Sequence, residues 1–256
     1  MTRALEEFKV DGLNVKVFAD RAALGRAAGL AAAARIRAMQ GEGALLNLLF
    51  AAGPSQDETL EALRREPGVD WGRINAFHMD EYLGLPPDAP QALAVFLKVR
   101  LFDRLPFRQV FTIDGAAVDE AAECARYAAL LREHPLDLAF LGIGENGHLA
   151  FNDPGVADFQ DPLWVKVGEL DAACRQQQVN DGQFRSLAEV PARAITLTVP
   201  ALLSARGALI AVPGSRKAEA VRRTLRGPIA AACPASILRR HANACLFLDK
   251  DSAAGL

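Results

Sequence analysis

Short apolar runs alternate with longer helical segments along almost the whole chain, and this alternation limits the folds open to it. Leu13 to Ala19, Ala44 to Phe50, Arg73 to Phe77, Leu136 to Leu141, Ala194 to Val199, Ala208 to Val212 and Ala244 to Leu248 read as strands. Between them, alanine-rich Arg21 to Met39, Gln56 to Arg65, residues 90 to 104 and 118 to 133, and Arg216 to Leu225 read as helices. Strands of about 5 to 7 residues separated by helices of about 10 or more imply βαβ units and a mostly parallel sheet flanked by helices. No Pro/Gly/Ser linker divides the chain. Its 256 residues, 51% hydrophobic and 23% charged, suffice for a large core and are read as one α/β, Rossmann-like domain over 1–256.

Charge and composition narrow the function classes. With 29 basic against 31 acidic residues the net charge is −2, which argues against nucleic acid or an anionic membrane as partner but leaves room for local anion pockets. The most hydrophobic stretches, Leu30 to Ala34 and Ala44 to Ala52, fall short of the ~20 residues that span a bilayer. The start, Met1 to Glu7, carries early acids and no apolar segment, so no leader is expected. Cys124, Cys174, Cys233 and Cys245 form no CxxC pair and no zinc spacing, and are expected to be reduced thiols of a cytoplasmic protein.

Parallel sheets bind ligands outside the carboxyl ends of their strands, which directs attention to the loops 51–55, 78–87, 142–155 and 213–215. Residues 156–192 are the least regular and are expected to form a mobile segment over the site. In Phe77-His78-Met79-Asp80-Glu81-Tyr82-Leu83-Gly84-Leu85-Pro86 two adjacent carboxylates follow a buried strand. Adjacent residues of extended chain point to opposite sides, so one of the two is expected in the crevice, where a desolvated carboxylate can act as a general base. The plainer alternative is a pair of acids that cap a helix or face solvent. A metal held by His78, Asp80 and Glu81 is not expected, because no further His or Cys clusters nearby.

The loop Gly142-Ile143-Gly144-Glu145-Asn146-Gly147-His148-Leu149-Ala150-Phe151-Asn152-Asp153-Pro154-Gly155 lets backbone approach a ligand closely. It sets His148 among Asn146 and Asp153, and an imidazole oriented by a carboxylate suits proton transfer near neutral pH. Two further turns lead from strand to helix and can take an anion on free N–H groups. One is Gly53-Pro54-Ser55-Gln56, where Ser55 and Glu58 also read as a ligand-independent capping box and Asp57 and Glu58 add repulsion. The other is Gly214-Ser215-Arg216-Lys217, whose cations could instead be solvated.

Taken together these loops resemble the signature segments of glucosamine-6-phosphate deaminases, and Gly214-Ser215-Arg216-Lys217-Ala218 is similar to that family's phosphate-lysine turn. The similarity runs over nearly the whole chain. The wider superfamily includes 6-phosphogluconolactonases and ribose-5-phosphate isomerases. Lactonases typically continue the Gly-His loop with a Thr-Ala-Ser-Leu-Phe-Pro type of sequence, and Leu149-Ala150-Phe151-Asn152-Asp153-Pro154 favours the deaminase side. The resemblance implies a cofactor-independent, metal-free aldose–ketose isomerisation followed by loss of ammonia. Asp80 would move a proton from C2 to C1, and His148 would open the sugar ring with Asn146 and Asp153 beside it. Gly53, Ser55, Gln56, Gly142, Arg175 and Lys217 would hold the substrate. The implied partner is a small amino-sugar phosphate, with homo-oligomers left open. A lactonase or other sugar-phosphate isomerase is the enzymatic alternative, and a sugar-phosphate sensor the non-enzymatic one.

The chain departs from the family at three places. Many members carry Asp where Asn146 stands and Glu where Asp153 stands, so the pH optimum is expected to differ from that of doubly acidic relatives. Members often have a Thr-Gly-Gly-rich turn in place of Ala52-Gly53-Pro54-Ser55-Gln56. The phosphate arginine lacks a clear equivalent, for which Arg175 is the candidate.

Overall fold

The computed structural model describes residues 3–41 and 43–256; Met1 and Thr2 of the acidic start lie outside the described residues. In chain order the elements are β1 (Glu6–Val10), β2 (Leu13–Phe18), α1 (Arg21–Gln40), β3 (Leu46–Phe50), α2 (Asp57–Arg65), β4 (Ile74–His78), β5 (Asp80–Tyr82), α3 (Leu93–Leu97), β6 (Gln109–Phe111), α4 (Glu120–Glu133), β7 (Leu138–Leu141), β8 (Val165–Glu169), α5 (Ala172–Asn180), β9 (Arg193–Leu197), α6 (Val199–Leu203), β10 (Ala208–Val212), α7 (Ala218–Arg226) and β11 (Ala244–Asp249).

Eight strands form one sheet in the order β1-β2-β11-β10-β7-β3-β4-β6. Its pairs are parallel except β1 with β2. Alternate side chains feed two cores: Leu48, Phe50 and Phe140 pack on the α1/α2 side, while Leu49, Ala139 and Leu141 pack on the other. Phe50 pairs in register with His78 and with Phe140, and Ile210 with Leu141. The loops after β3, β4, β7 and β10 therefore emerge side by side.

Two sequence expectations change here. The strand read at Ala194 to Val199 is β9, and it joins β5 and β8 in a separate antiparallel three-stranded sheet. Its regular apolar alternation identifies a strand but not the sheet it belongs to. Residues 156–192 are also more regular than expected, since they contain β8 and α5. Asp171 starts α5 by accepting from the Cys174 N–H at 2.6 Å, a cap of ordinary kind.

The glycine turn before α2 lies beside the start of α1, which Asp20 caps through the Ala23 N–H at 2.7 Å. The two helices meet across glycines. A Cβ on Gly29 would lie 2.6 Å from Ala62 Cβ and 2.7 Å from the Leu63 backbone nitrogen. Backbone cannot yield as a side-chain tip does, so Gly29→Val is expected to cost about 2–3 kcal/mol. Urea denaturation reads this, and an unchanged midpoint would show that the helices separate freely.

Candidate active site

One cleft at the carboxyl ends of the parallel strands, about 620 Å³ including its open mouth, collects side chains from six separate segments, Leu93 of α3 among them. Gly53, Ser55 and Gln56 line it after β3, Asp80 and Tyr82 lie on β5, and Gly142, Gly144 and His148 follow β7. Gln177, Gln178 and Asp181 come from α5 and its C-cap, and Lys217 follows β10. The size suits a small ligand.

Asp80 and Glu81 part company because they are neighbours on an extended strand. Asp80 lines the cleft at 7% exposure. Burial first, and the Glu81 charge second, push its carboxyl well above the usual carboxylate range. Among the described residues no group donates a hydrogen bond to it. Glu81 turns the other way and accepts the N–H groups of Tyr82, Leu93 and Ala94 at 2.8–2.9 Å, capping α3. Burial raises Glu81 too, against the pull of those three N–H groups and Lys98.

His78 has a structural task. Its Nε2 accepts the Ile113 N–H at 2.7 Å. Burial first, then the Lys98 charge, lower its imidazole to about 3. It stays neutral and is no part of a metal cluster with Asp80 and Glu81. Among the described residues the one group spaced for a metal is His148, Asp153 and Cys174. Burial, followed by the charges of Asp153 and Asp171, drives the Cys174 thiol well above its ordinary range, which makes it a poor ligand as it stands.

His148 sits in a tight turn closed by the Gly144 N–H donating to the His148 carbonyl at 3.0 Å. Its ring lies against the Gly144 backbone, where a Cβ would approach ring atoms to 2.3–2.4 Å. Asp153 Oδ1 lies 3.1 Å from His148 Nδ1, close but not well aligned for a hydrogen bond. Burial works against ionisation of Asp153, yet His148, Asn146 and the Asp171 N–H together hold its carboxyl below the usual range. Asn146 and Asp153 stand behind His148 and do not line the cleft.

The two glycine turns expected to take an anion share one design. Gly53 and Gly214 both take positive φ, 148° and 95°, and each opens a short 3-10 turn that runs into α2 or α7. The predicted capping box at Ser55–Glu58 is absent, because Glu58 is drawn to Arg21 instead. The expected repulsion is also relieved, since Arg21 neutralises Glu58 and Arg100 neutralises Asp57. The Gln56 amide braces the turn, donating to Ser55 Oγ at 3.1 Å and to the carbonyls of Ala211 and Leu141 at 3.3 and 3.4 Å. Asp249 steadies the second turn by accepting the Gly214 N–H at 3.0 Å.

Lys217 brings the cation. Burial lowers its ammonium to about 8, against the opposing pull of Asp181 and Glu145. Arg175 does not join it: its guanidinium donates to the carbonyls of Leu187 and Val190 at 2.7 and 2.9 Å, outside the cleft. Its sequence neighbourhood gave no sign that two carbonyls of the 187–190 turn would claim it. Arg216 is likewise engaged, bridging Glu145 and Asp181 at 2.9 and 2.7 Å. Sequence reasoning missed Asp171, Gln177 and Asp181, all in the segment read as irregular.

The model of the glucosamine-6-phosphate isomerase/6-phosphogluconolactonase family matches residues 19–247. Glucosamine-6-phosphate deaminase of Bacillus thuringiensis strain Al Hakam is 38% identical over 188 residues, 73% of this chain and 70% of that one. The protein of the same name from Bacillus anthracis strain A0248 matches to the same extent. A solved monomeric glucosamine-6-phosphate deaminase superposes with a TM-score of 0.85 at 29% identity, covering 94% of this chain and 99% of the other. The 6-phosphogluconolactonase of Trypanosoma brucei, at 21% identity and a TM-score of 0.79, covers 98% of this chain and all of its own, and shows the shared fold. With a family model spanning most of the sequence and relatives this similar, the chain belongs to the glucosamine-6-phosphate isomerase/6-phosphogluconolactonase family.

Proposed function

We propose that this protein deaminates glucosamine 6-phosphate, or a close amino-sugar phosphate, to fructose 6-phosphate and ammonia. The observation that carries the reading is the convergence of Asp80, His148 and Lys217, from three distant stretches of chain, on one cleft. In the role we assign it, His148 takes the proton of the C1 hydroxyl and passes it to the ring oxygen as the C1–O5 bond breaks, which opens the ring to the aldehyde. Asp80 then takes the C2 proton of the open aldehyde and returns it at C1, through an enolamine. Water adds to C2 of the resulting imine, and ammonia leaves as the ketone forms. Burial makes Asp80 a stronger base than a solvated carboxylate. Lys217, the two glycine turns and the N–H groups they free grip the phosphate, whose binding energy can orient C1 and C2. Gly53, Ser55, Gln56 and Gly142 are the proposed walls of that grip; Arg175 is left out of it. Release of ammonia with fructose 6-phosphate from glucosamine 6-phosphate tests the reading. Hydrolysis of 6-phosphogluconolactone without ammonia release would replace it.

The same reading treats residues 1–256 as one functional domain with a small-molecule partner, and does not depend on a homo-oligomer. Near-zero net charge speaks against a nucleic-acid partner. Four free thiols fit the reducing cytoplasm. Among the described residues no helix is long and apolar enough to cross a membrane.

Lys217 sets a pH dependence. Its cation is present below about 8 and is lost as pH rises through that value, so KM should climb above about pH 8 while kcat holds. Lys217→Met, which removes a charge-assisted contact worth about 2 kcal/mol, should raise KM roughly thirtyfold and flatten that climb. Steady-state kinetics between pH 6.5 and 9.5 decide it (roughly the span either side of a lysine so lowered), and an unchanged KM in the variant refutes the assignment.

A further inference from the structure

Asn146 stands where two carboxylates meet. Its Nδ2 donates to Asp153 Oδ1 at 2.9 Å and to Asp171 Oδ2 at 3.0 Å. Its Oδ1 accepts the His148 backbone N–H at 3.0 Å. The ring of contacts is closed by the Asp171 N–H, which donates to Asp153 Oδ2 at 3.1 Å. An amide side chain offers two N–H donors, and here both are used. An aspartate at 146 would instead turn an acceptor toward each of two carboxylates. The departure at position 146 therefore makes physical sense only beside the acid at 171.

We infer that Asp171 is a positioning residue for this site: acting through the Asn146 amide, its carboxylate holds Asp153 against His148 and fixes the imidazole that faces the cleft. The inference rests on the proposed deamination for its kinetic consequences. Its geometric part does not need them. His148 is pinned on one face by Gly144 and on its Nδ1 edge by Asp153. Asp153 is in turn pinned by Asn146 and Asp171. Asp171 is the N-cap of α5, the helix that carries Gln177 and Gln178 into the cleft. One carboxylate thus ties the His148 loop to the helix that walls the site. The charged and titratable groups around the cluster are Asp153, Asp171 and Cys174, with Asp80, Asp181 and Lys217 around the cleft. Arg223 reaches the Asn146 carbonyl at 3.5 Å.

The test is a double-mutant cycle between Asp171→Ser and Asn146→Ala in the full-length protein. Serine keeps an oxygen to cap the Cys174 N–H, so α5 should persist, and it is too short to reach Asn146. Asp171→Asn, close in volume, is the second variant if the serine protein does not fold. Each single variant should lower kcat for ammonia release about tenfold with KM within about twofold. The double variant should also lose about tenfold rather than a hundredfold, because both changes break one chain of contacts. Multiplying losses, or a Asp171→Ser protein with wild-type kcat, would overturn the inference. A second readout is independent of activity. The ring-nitrogen shifts of His148 should report one tautomer in the wild type, where Asp153 Oδ1 stands 3.1 Å from Nδ1, and a mixture in Asp171→Ser. An identical tautomer in both proteins would also overturn it. A wild type that releases no ammonia, but whose tautomer changes in the variant, would refute the proposed reaction while leaving the positioning role intact.

Discussion

Asp80→Asn should lower kcat for ammonia release about a thousandfold, within the range that a positioned general base contributes, and leave KM nearly unchanged. The amide is close to the carboxylate in shape, so the cleft and its phosphate turns keep their form. What disappears is the acceptor for the C2 proton. The same change should stabilise the fold at neutral pH. The Asp80 carboxyl is held well above its ordinary range, chiefly by burial. Folding therefore binds a proton there more tightly than the unfolded chain does. The stability linked to that proton is fully present below the unfolded carboxylate range and is lost as pH rises through the folded value. Asparagine carries no such dependence. Near pH 7 the variant should gain about 1–2 kcal/mol over the wild type, and the advantage should shrink toward pH 4. Isothermal denaturation at the two pH values, beside steady-state kinetics, reads both effects. A variant that retains more than about a tenth of wild-type kcat would remove Asp80 from the proton transfer.

The part of this site legible in the sequence is the part that follows from local geometry. Asp80 and Glu81 are neighbours on extended chain, and period-two alternation alone sends them to opposite sides. Gly142 and Gly144 precede His148 in a loop that follows an apolar strand, and the parallel-sheet rule then places that loop at the crevice. The misses are tertiary. Arg175 was the candidate because the family's phosphate arginine lacked a clear equivalent, but the carbonyls of Leu187 and Val190 satisfy it after α5 folds against the following turn. The capping box at Ser55 failed because Arg21, thirty-seven residues from Glu58 in sequence, captures that carboxylate. Asp171 carries no signal in its own segment, and its meaning depends on Asn146 and Asp153 arriving from another loop. Strand β9 was legible as a strand, while its partners β5 and β8 are too short or too polar to announce a second sheet.

Two glycines of one loop should give opposite kinetic signatures when each becomes alanine. At Gly144 the new Cβ would sit 2.3–2.4 Å from Cε1, Nδ1 and Nε2 of His148. Contact normally begins near 3.4 Å, so the imidazole must retreat by about 1 Å, and a displacement of that size at a reacting group costs on the order of a hundredfold. The ring has little room to retreat without leaving Asp153, which lies 3.1 Å from Nδ1. The loss should fall on kcat, since Lys217 and the turn at Gly53 lie on other strand ends. At Gly142 the nearest neighbours of a Cβ are Gln56 Nε2 at 3.3 Å and Ser55 Oγ at 3.6 Å. That change presses on the turn assigned to phosphate, where binding and transition state share the same contacts, so it should raise KM severalfold and spare kcat. Both proteins should keep their wild-type circular dichroism, because neither glycine has positive φ. The comparison separates an imidazole that reacts from one that merely lines the cleft. If Gly144→Ala turned over like the wild type, a displaced ring would be harmless and the assignment of ring opening to His148 would fall.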